Sequence, residues 1–343
     1  MQTYLLKALA AAELRRGFCA PNPAVGAVLV KNDQVISVGT HWAAGHPHAE
    51  VDAIRKAGEE ARDADLYVTL EPCCHQGKTP PCTKAIIDAG INRVVYAFAD
   101  PNPVASRGAD VLLEAGVDCQ HYSLPEIDVF YKSYAYWLAN KRPWVTVKLA
   151  LSDDYKIAGE NGQPVKISGD LCDALTHRRR LRADGLLTTY QTLANDDPKL
   201  NARLENRVVA KPLFILDSVL QLDRSLQIFK TAKSITVYHR NDIAPRDDLD
   251  CIAVPFNHEG LDLNAVILDL GKRGLHDVWV EAGARVFRSF YQNKLANEFL
   301  FYRSKKSLGE RALAAFSDIN PIDERALNWE SLGDDQLARL TIE

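Results

Sequence analysis

The chain lacks the features that mark membrane-spanning, disulfide-built and nucleic-acid-binding proteins. No apolar run approaches the roughly 18 residues needed to cross a bilayer, and Met1-Gln2-Thr3-Tyr4 carries neither a basic n-region nor a cleavage site. A cytoplasmic protein with no membrane partner is expected. Dense Lys/Arg blocks are missing as well: 41 basic against 45 acidic residues give a formal net charge of -4, which argues against a nucleic-acid partner. The seven cysteines, at positions 19, 73, 74, 82, 119, 172 and 251, are odd in number and follow no disulfide-framework spacing, so reduced thiols are expected. No G-x-G-x-x-G follows a strand, which removes support for a Rossmann dinucleotide site. What is present, 47% hydrophobic and 25% charged residues over 343 positions, is a globular balance at a length that calls for two domains.

The most specific pattern is His48, Cys73 and Cys82, with Glu50 two residues after the histidine. One imidazole and two thiolates give Zn2+ three protein ligands and leave the fourth tetrahedral position open, as in catalytic sites. Glu50 can then exchange protons with a water there, which general acid–base catalysis requires. A structural zinc knuckle is the alternative reading, but its fourth ligand would have to be Cys74 or His75, and one small loop cannot easily aim both of these and Cys73 at one ion. H-x-E followed by P-C is the pattern of zinc nucleobase deaminases. Here the second cysteine comes nine positions after the first, and the longer loop with Gly77-Lys78-Thr79-Pro80-Pro81 suits a small phosphorylated substrate. Asn22, in the turn Pro21-Asn22-Pro23, is a candidate for holding a base or ribose, unless the turn is only a rigid bend. His41 is a further candidate or a packed ring. His75, Lys78 and Asn102 are polar groups on loops that should rim the site, Lys78 being suited to meet a phosphate as a point charge.

Periodicity predicts a helix over 2–16, strands at 25–30 and 34–39, and a helix over 49–58 that buries Val51, Ile54 and Ala57. A strand at 66–70 then delivers Cys73, followed by a helix at 83–89, a strand at 93–97 and helical patterns at 111–115 and 126–139. His48 and Cys82 would both sit at helix starts, where the helix dipole favours thiolates. Asn140-Lys141-Arg142-Pro143 breaks the last helix, which sets the expected domains at 1–142 and 143–343. The second half predicts strands at 185–189, 213–217, 234–238, 277–281 and 298–302, with helices at 170–182, 263–273 and 284–293. The alternation implies an α/β fold in both halves, with sites opening at strand ends.

Pro21-Asn22-Pro23-Ala24-Val25-Gly26, His48-Ala49-Glu50-Val51, Tyr67-Val68-Thr69-Leu70-Glu71-Pro72-Cys73, Gly77-Lys78-Thr79-Pro80-Pro81-Cys82 and Asp100-Pro101-Asn102-Pro103, in this order, closely resemble the bifunctional riboflavin-biosynthesis deaminase/reductase family. Over the second half Lys148-Leu149, Ser152, Asp154, Lys156, Ala158, Asp196-Asp197-Pro198 and Val280-Glu281-Ala282-Gly283 also match. The resemblance implies a cytidine-deaminase-like α/β/α layer domain followed by a dihydrofolate-reductase-like α/β domain. It implies zinc-dependent hydrolytic deamination of a diaminopyrimidinone ribosyl phosphate, then reduction of the ribosyl to the ribityl chain with NADPH, in a homo-oligomer. It also implies that Thr192, Asp196 and Gly283 lie against NADPH and that Arg180, Leu200, Arg203 and Glu281 contact the substrate.

Three segments depart from the family. A glycine in its Ser-Leu-Asp-Gly-Lys turn is Tyr155 here, its Ser-x-Trp-Ile-Thr segment reads Pro164-Val165-Lys166-Ile167-Ser168, and an Ala-Pro-x-Leu-Leu-Gly segment reads Ser304-Lys305-Lys306-Ser307-Leu308-Gly309. Lys166 then either meets a cofactor phosphate or marks an unused pocket. These departures leave open the alternative of a deaminase whose C-terminal domain is degenerate and does not reduce. A nucleoside or transfer-RNA deaminase and a noncatalytic zinc module are the more distant readings.

Overall fold

Residues 1–77, 80–205, 207–316 and 327–342 are described by a computed structural model. In it the chain divides into two units, Met1–Lys141 and Arg142–Glu343. No helix among the described residues is long and apolar enough to cross a membrane.

The first unit runs α1 (Gln2–Glu13), β1 (Gly26–Lys31), β2 (Gln34–Thr40), α2 (Ala49–Ala57), β3 (Asp65–Leu70), α3 (Cys82–Asp88), β4 (Arg93–Phe98), α4 (Gly108–Glu114), β5 (Asp118–His121) and α5 (Pro125–Asn140). Asn32 and Asp33, both at positive φ (51° and 61°), make the tight hairpin between β1 and β2. The sheet order is β2-β1-β3-β4-β5, with β1 antiparallel to its neighbours and β3, β4 and β5 parallel. Gly26 pairs with Thr40, Ala27 with Val68 and Leu70 with Phe98. That register gathers the start of β1 and the ends of β2, β3 and β4 at one end of the sheet. The chain therefore passes through Asn22, His41, Cys73 and Asn102 on the same side of the unit.

Two helices lie unusually close to this sheet. A Cβ on Gly26 would stand 2.0 Å from the Ala8 carbonyl oxygen, and one on Gly39 would stand 2.0 Å from that of Ala49. Such an approach needs small residues on both sides, and Ala8, Ala12, Ala49 and Ala53 supply them, all fully buried. This corrects the expected inner face of α2. Val51, Ile54 and Ala57 are only half-buried, while Ala49, Glu50 and Ala53 go inside. Large apolar side chains cannot fit between two backbones in contact, so they flank the seam. The first helix also stops at Glu13 and not at 16.

The second unit comprises β6 (Trp144–Leu151), β7 (Lys156–Glu160), α6 (Asp170–Arg182), β8 (Gly185–Thr189), α7 (Tyr190–Asp196), β9 (Ala202–Leu204), β10 (Arg207–Val209), β11 (Pro212–Leu216), α8 (Ile228–Thr231), β12 (Ser234–Arg240), β13 (Asp250–Val254), β14 (Phe256–Asn257), β15 (Gly260–Leu261), α9 (Leu263–Lys272), β16 (Asp277–Glu281), α10 (Ala284–Gln292), β17 (Glu298–Arg303), β18 (Ala312–Ala314), β19 (Trp329–Leu332) and β20 (Asp335–Thr341). Among the described residues its main sheet is ordered β13-β12-β11-β8-β16-β6-β17-β20-β19, parallel as far as β17 and antiparallel at the last two strands. Both faces are covered. Val147, Val280 and Phe301 pack into one core, Leu186, Trp279 and Leu300 into the other, which is why these strands read as continuous apolar runs.

The unusual turn between β6 and β7 is accommodated locally. Tyr155 adopts φ 58°, the left-handed region that favours glycine. Its ring lies 5.0 Å from the Arg303 guanidinium. Asp154 accepts from the N–H groups of Leu308 (3.0 Å) and Gly309 (2.8 Å), tying the altered 304–309 segment to the turn.

Gly39→Ala should lower the stability of the first unit by about 1–3 kcal/mol through overpacking, read as an earlier urea transition; an unchanged midpoint would contradict the close helix–sheet approach.

Candidate metal centre and cofactor cavity

His48 is the N-cap residue of α2 and Cys82 the first residue of α3, while Cys73 lies just beyond the end of β3. His48 Nδ1 is 3.2 Å from Cys82 Sγ and 3.5 Å from Cys73 Sγ, and the three ligand atoms all fall within 4.8 Å of one another. Tetrahedral zinc with bonds of about 2.0–2.3 Å places its ligands roughly 3.3–3.8 Å apart, close to the two imidazole–sulfur spacings, and one imidazole with two thiols is a donor set that suits that ion. None of the seven cysteines is in a disulfide, and Cys74 is turned away, donating to the Ser106 carbonyl at 3.1 Å.

The protons of this cluster are shared. A hydrogen bond with Cys82 draws the Cys73 thiol well below its ordinary range, while the same bond and burial push Cys82 up. The Cys82 N–H, at the start of α3, points at Cys73 Sγ from 3.5 Å, which also favours a thiolate there. His48 is raised, chiefly by its hydrogen bond to Cys73. Glu50 is buried beside them, and desolvation pushes its carboxyl up to about 7. Binding a dication here requires both thiols to be deprotonated, so metal uptake releases protons.

The remaining deaminase candidates divide. Asn22 Nδ2 lies 3.2 Å from His41 Nε2, and His41 Nδ1 lies 3.0 Å from the Pro47 carbonyl. The neutral ring therefore donates to Pro47 and accepts from Asn22, consistent with burial lowering its pKa. Its ring meets that of His48 edge-on at 5.2 Å. Asn102 shapes its own loop, its Oδ1 accepting from the Val104 N–H at 3.1 Å. His75 Nδ1 is buried without a hydrogen-bond partner among the described residues. Lys78 lies outside the described residues.

In the second unit a cavity of about 1020 Å³ opens where β8, β11 and β16 end, the end of an open parallel sheet at which ligands bind. Thr192, Asp196, Glu281 and Gly283 line it. Gly283 is the N-cap of α10, and nothing stands within 4 Å of the position a Cβ would take. The helix start is thus left open for an anionic group such as a dinucleotide phosphate.

Arg180, Leu200 and Arg203 sit apart from that lining but connect to it. Arg180 is buried and grips Glu281 with Nε (2.6 Å) and Nη2 (2.9 Å), while its Nη1 donates to the Asn201 carbonyl at 3.1 Å. Arg203 Nη1 reaches Asn201 Oδ1 at 2.9 Å, and buried Leu200 precedes it at φ 41°. Lys148, whose Nζ is 4.0 Å from Glu281 Oε2, also lines the cavity. Lys166 does too, but its ammonium is paired with Asp170 (2.8 Å) and Asp173 (3.2 Å). Trp279, not anticipated as part of the site, donates from Nε1 to Glu281 Oε1 at 2.8 Å. Its position two residues before Glu281 on the same strand, and so on the same face, was the available signal.

Residues 143–337 match the RibD C-terminal domain, and residues 1–98 match the cytidine and deoxycytidylate deaminase zinc-binding region. The riboflavin biosynthesis protein RibD of Haemophilus influenzae is 34% identical over 92% of this chain and 90% of its own length. That of Aquifex aeolicus is 33% identical over 97% and 96%. Among solved structures, RibD of Acinetobacter baumannii superposes with a TM-score of 0.86 at 31% identity, covering 99% of this chain and 98% of that one.

Burial alone would raise the Glu281 carboxyl, but Arg180, with Lys148 and the Trp279 indole, holds it down to about 2. The stability contributed by this depressed group is present above its unfolded value near 4.5 and is lost as pH falls toward 2. Acid unfolding monitored in the parent and in Glu281→Gln should show a shallower loss over that window in the variant; identical pH dependence would contradict the assignment.

Proposed function

We infer, from the bifunctional riboflavin-biosynthesis deaminase/reductase family to which the chain belongs, the substrate and the residues behind its two activities. The chain is a zinc-dependent deaminase and an NADPH-dependent reductase. Its proposed substrate is a diaminopyrimidinone ribosyl phosphate, deaminated by residues 1–142 and then reduced by residues 143–343. The observation that carries the first half is the meeting of one imidazole and two thiols within 4.8 Å beside a buried carboxylate.

In deamination, His48, Cys73 and Cys82 are the metal ligands. Zinc held there supplies Lewis acidity and a water whose pKa is lowered to roughly 7. Glu50 takes a proton as water adds to the amidine carbon that bears the exocyclic amine. It passes that proton to the ring nitrogen of the amidine, then takes the proton of the new hydroxyl and delivers it to the departing amine, so that ammonia leaves and a carbonyl remains. A carboxyl buried this deeply can hold each proton between its uptake and its delivery. Asn22, oriented by His41, is assigned to the base or ribose, and His75, Lys78 and Asn102 to the rim of the site.

In reduction, NADPH supplies the hydride that converts the ribosyl carbon to the ribityl chain. Thr192, Asp196 and Gly283 are assigned to the cofactor. Leu200, Arg203, Arg180 and Glu281 are assigned to the substrate, with Arg203 suited to its phosphate. Because Arg180 is already engaged by Glu281 on two nitrogens, its main service is to keep that carboxylate charged and fixed. The alternative of a non-reducing second unit is not favoured, since the family match to the reductase domain covers residues 143–337.

A coupled assay on the purified protein, following ammonia and NADPH separately, tests both halves. Glu50→Gln should retain zinc, lose ammonia release by about 10²–10⁴-fold and still oxidise NADPH when given the deaminated intermediate. Undiminished ammonia release in that variant would remove Glu50 from the mechanism, and a parent enzyme unable to oxidise NADPH would contradict the reductase half.

A further inference from the structure

Glu71 is buried two positions before Cys73 and takes no part in the chemistry above. Its carboxylate is engaged by backbone far away in sequence. Oε2 accepts from the Asp100 N–H at 3.3 Å, and Oε1 accepts from the Ala109 N–H at 3.1 Å. Ala109 lies in the first turn of α4, whose N-cap residue Arg107 sits at φ 74° and offers no side-chain cap. Glu71 thus supplies from another segment an acceptor that the helix start lacks.

The neighbouring residues are fastened to the same place. A Cβ on Gly108 would stand 1.7 Å from the Pro72 carbonyl oxygen, so only glycine lets α4 come this close. Cys74 Sγ donates to the Ser106 carbonyl at 3.1 Å, and buried Ala105 packs against Cys73 and Cys82. On the other side, the Cys73 carbonyl accepts from the Thr83 N–H at 3.2 Å. Residues 71 to 74 are therefore clamped between α3 and the 100–109 segment, with Glu71 and Gly108 forming the side of the clamp away from the ligands.

We propose that Glu71 and Gly108 are positioning residues of the metal centre: by locking residues 71–74 against α4 they hold Cys73 Sγ at the spacing from His48 and Cys82 that a divalent cation needs. The inference rests on reading those three residues as the ligands. Groups that orient ligands without touching the metal typically contribute 10–100-fold in affinity. Replacing the Glu71 carboxylate by an amide puts an NH₂ where an acceptor is needed, leaving one buried backbone N–H unpaired.

The test is zinc affinity by chelator competition on the full chain, for the parent, Glu71→Gln, Gly108→Ala and Cys73→Ser. Melting of the zinc-free proteins is recorded alongside, and Glu71→Asp serves as the milder change if Glu71→Gln does not fold. The expected result is zinc binding weakened about 10–100-fold in the Glu71 and Gly108 variants, with NADPH-dependent reduction at the parent rate. Parent-like zinc affinity in those variants would overturn the proposal, including the case where the zinc-free form merely melts earlier. The ligand reading is judged separately: it fails if the parent binds no zinc or if Cys73→Ser binds as the parent does.

Discussion

The constraint on which the first unit depends is that three donor atoms from three separate segments must meet within 4.8 Å and stay there without a covalent link. The sheet brings them near, because its register directs β2, β3 and the start of β1 to the same end. Near is not sufficient for a metal, whose ligand separations tolerate only a few tenths of an ångström. The additional precision comes from backbone-to-backbone contact: Gly39 lets α2 lie directly on β2, which fixes His48 at the start of that helix. Glu50, next to Ala49 in the same helix, is buried as well, and desolvation raises its carboxyl to about 7. One helix–sheet contact therefore goes with both the place of the His48 imidazole and the burial of the Glu50 carboxyl.

The second unit solves a different problem, that of keeping a charged carboxylate inside a core. Glu281 receives three donors, two from Arg180 and one from Trp279, with Lys148 nearby. A buried charge left unpaired would cost several kcal/mol, so the pairing is a condition for having the group there at all. The outcome is an acceptor that stays ionised through the neutral range and faces a cavity of about 1020 Å³. Where the first unit holds its buried carboxyl near neutrality, the second holds its own far below it. The difference follows from the surroundings: at Glu50 burial outweighs the neighbouring imidazole, whereas at Glu281 a guanidinium outweighs burial.

Much of this was legible in the sequence. His48, Glu50, Cys73 and Cys82 could be picked out because metal chemistry restricts residue type and spacing together. The parallel core strands could be found because burial on both faces leaves continuous apolar runs, as in Val278-Trp279-Val280. The inner face of α2 was misjudged because hydrophobicity marks large side chains, whereas a helix touching a strand at Gly39 buries alanines. The strands β19 and β20 were missed: Asp335–Thr341 mixes Gln336 and Arg339 with Leu337 and Ala338, and its antiparallel place in the sheet comes only from pairing with β17. Glu71 carried no signal of its own, since its partners Asp100 and Ala109 are reached only through the fold. Tyr155 looked like a break in the reductase, yet the turn keeps the left-handed backbone that a glycine would adopt.

What the two sulfurs and the imidazole hold decides the chemistry of the first unit. X-ray absorption at the zinc edge, on purified and reduced protein loaded with one equivalent of zinc, measures this directly. The prediction is a single four-coordinate ion with two sulfur scatterers at about 2.3 Å and two lighter ones at about 2.0 Å. A shell of four sulfurs, a shell with no sulfur, or protein that takes up no zinc would contradict it.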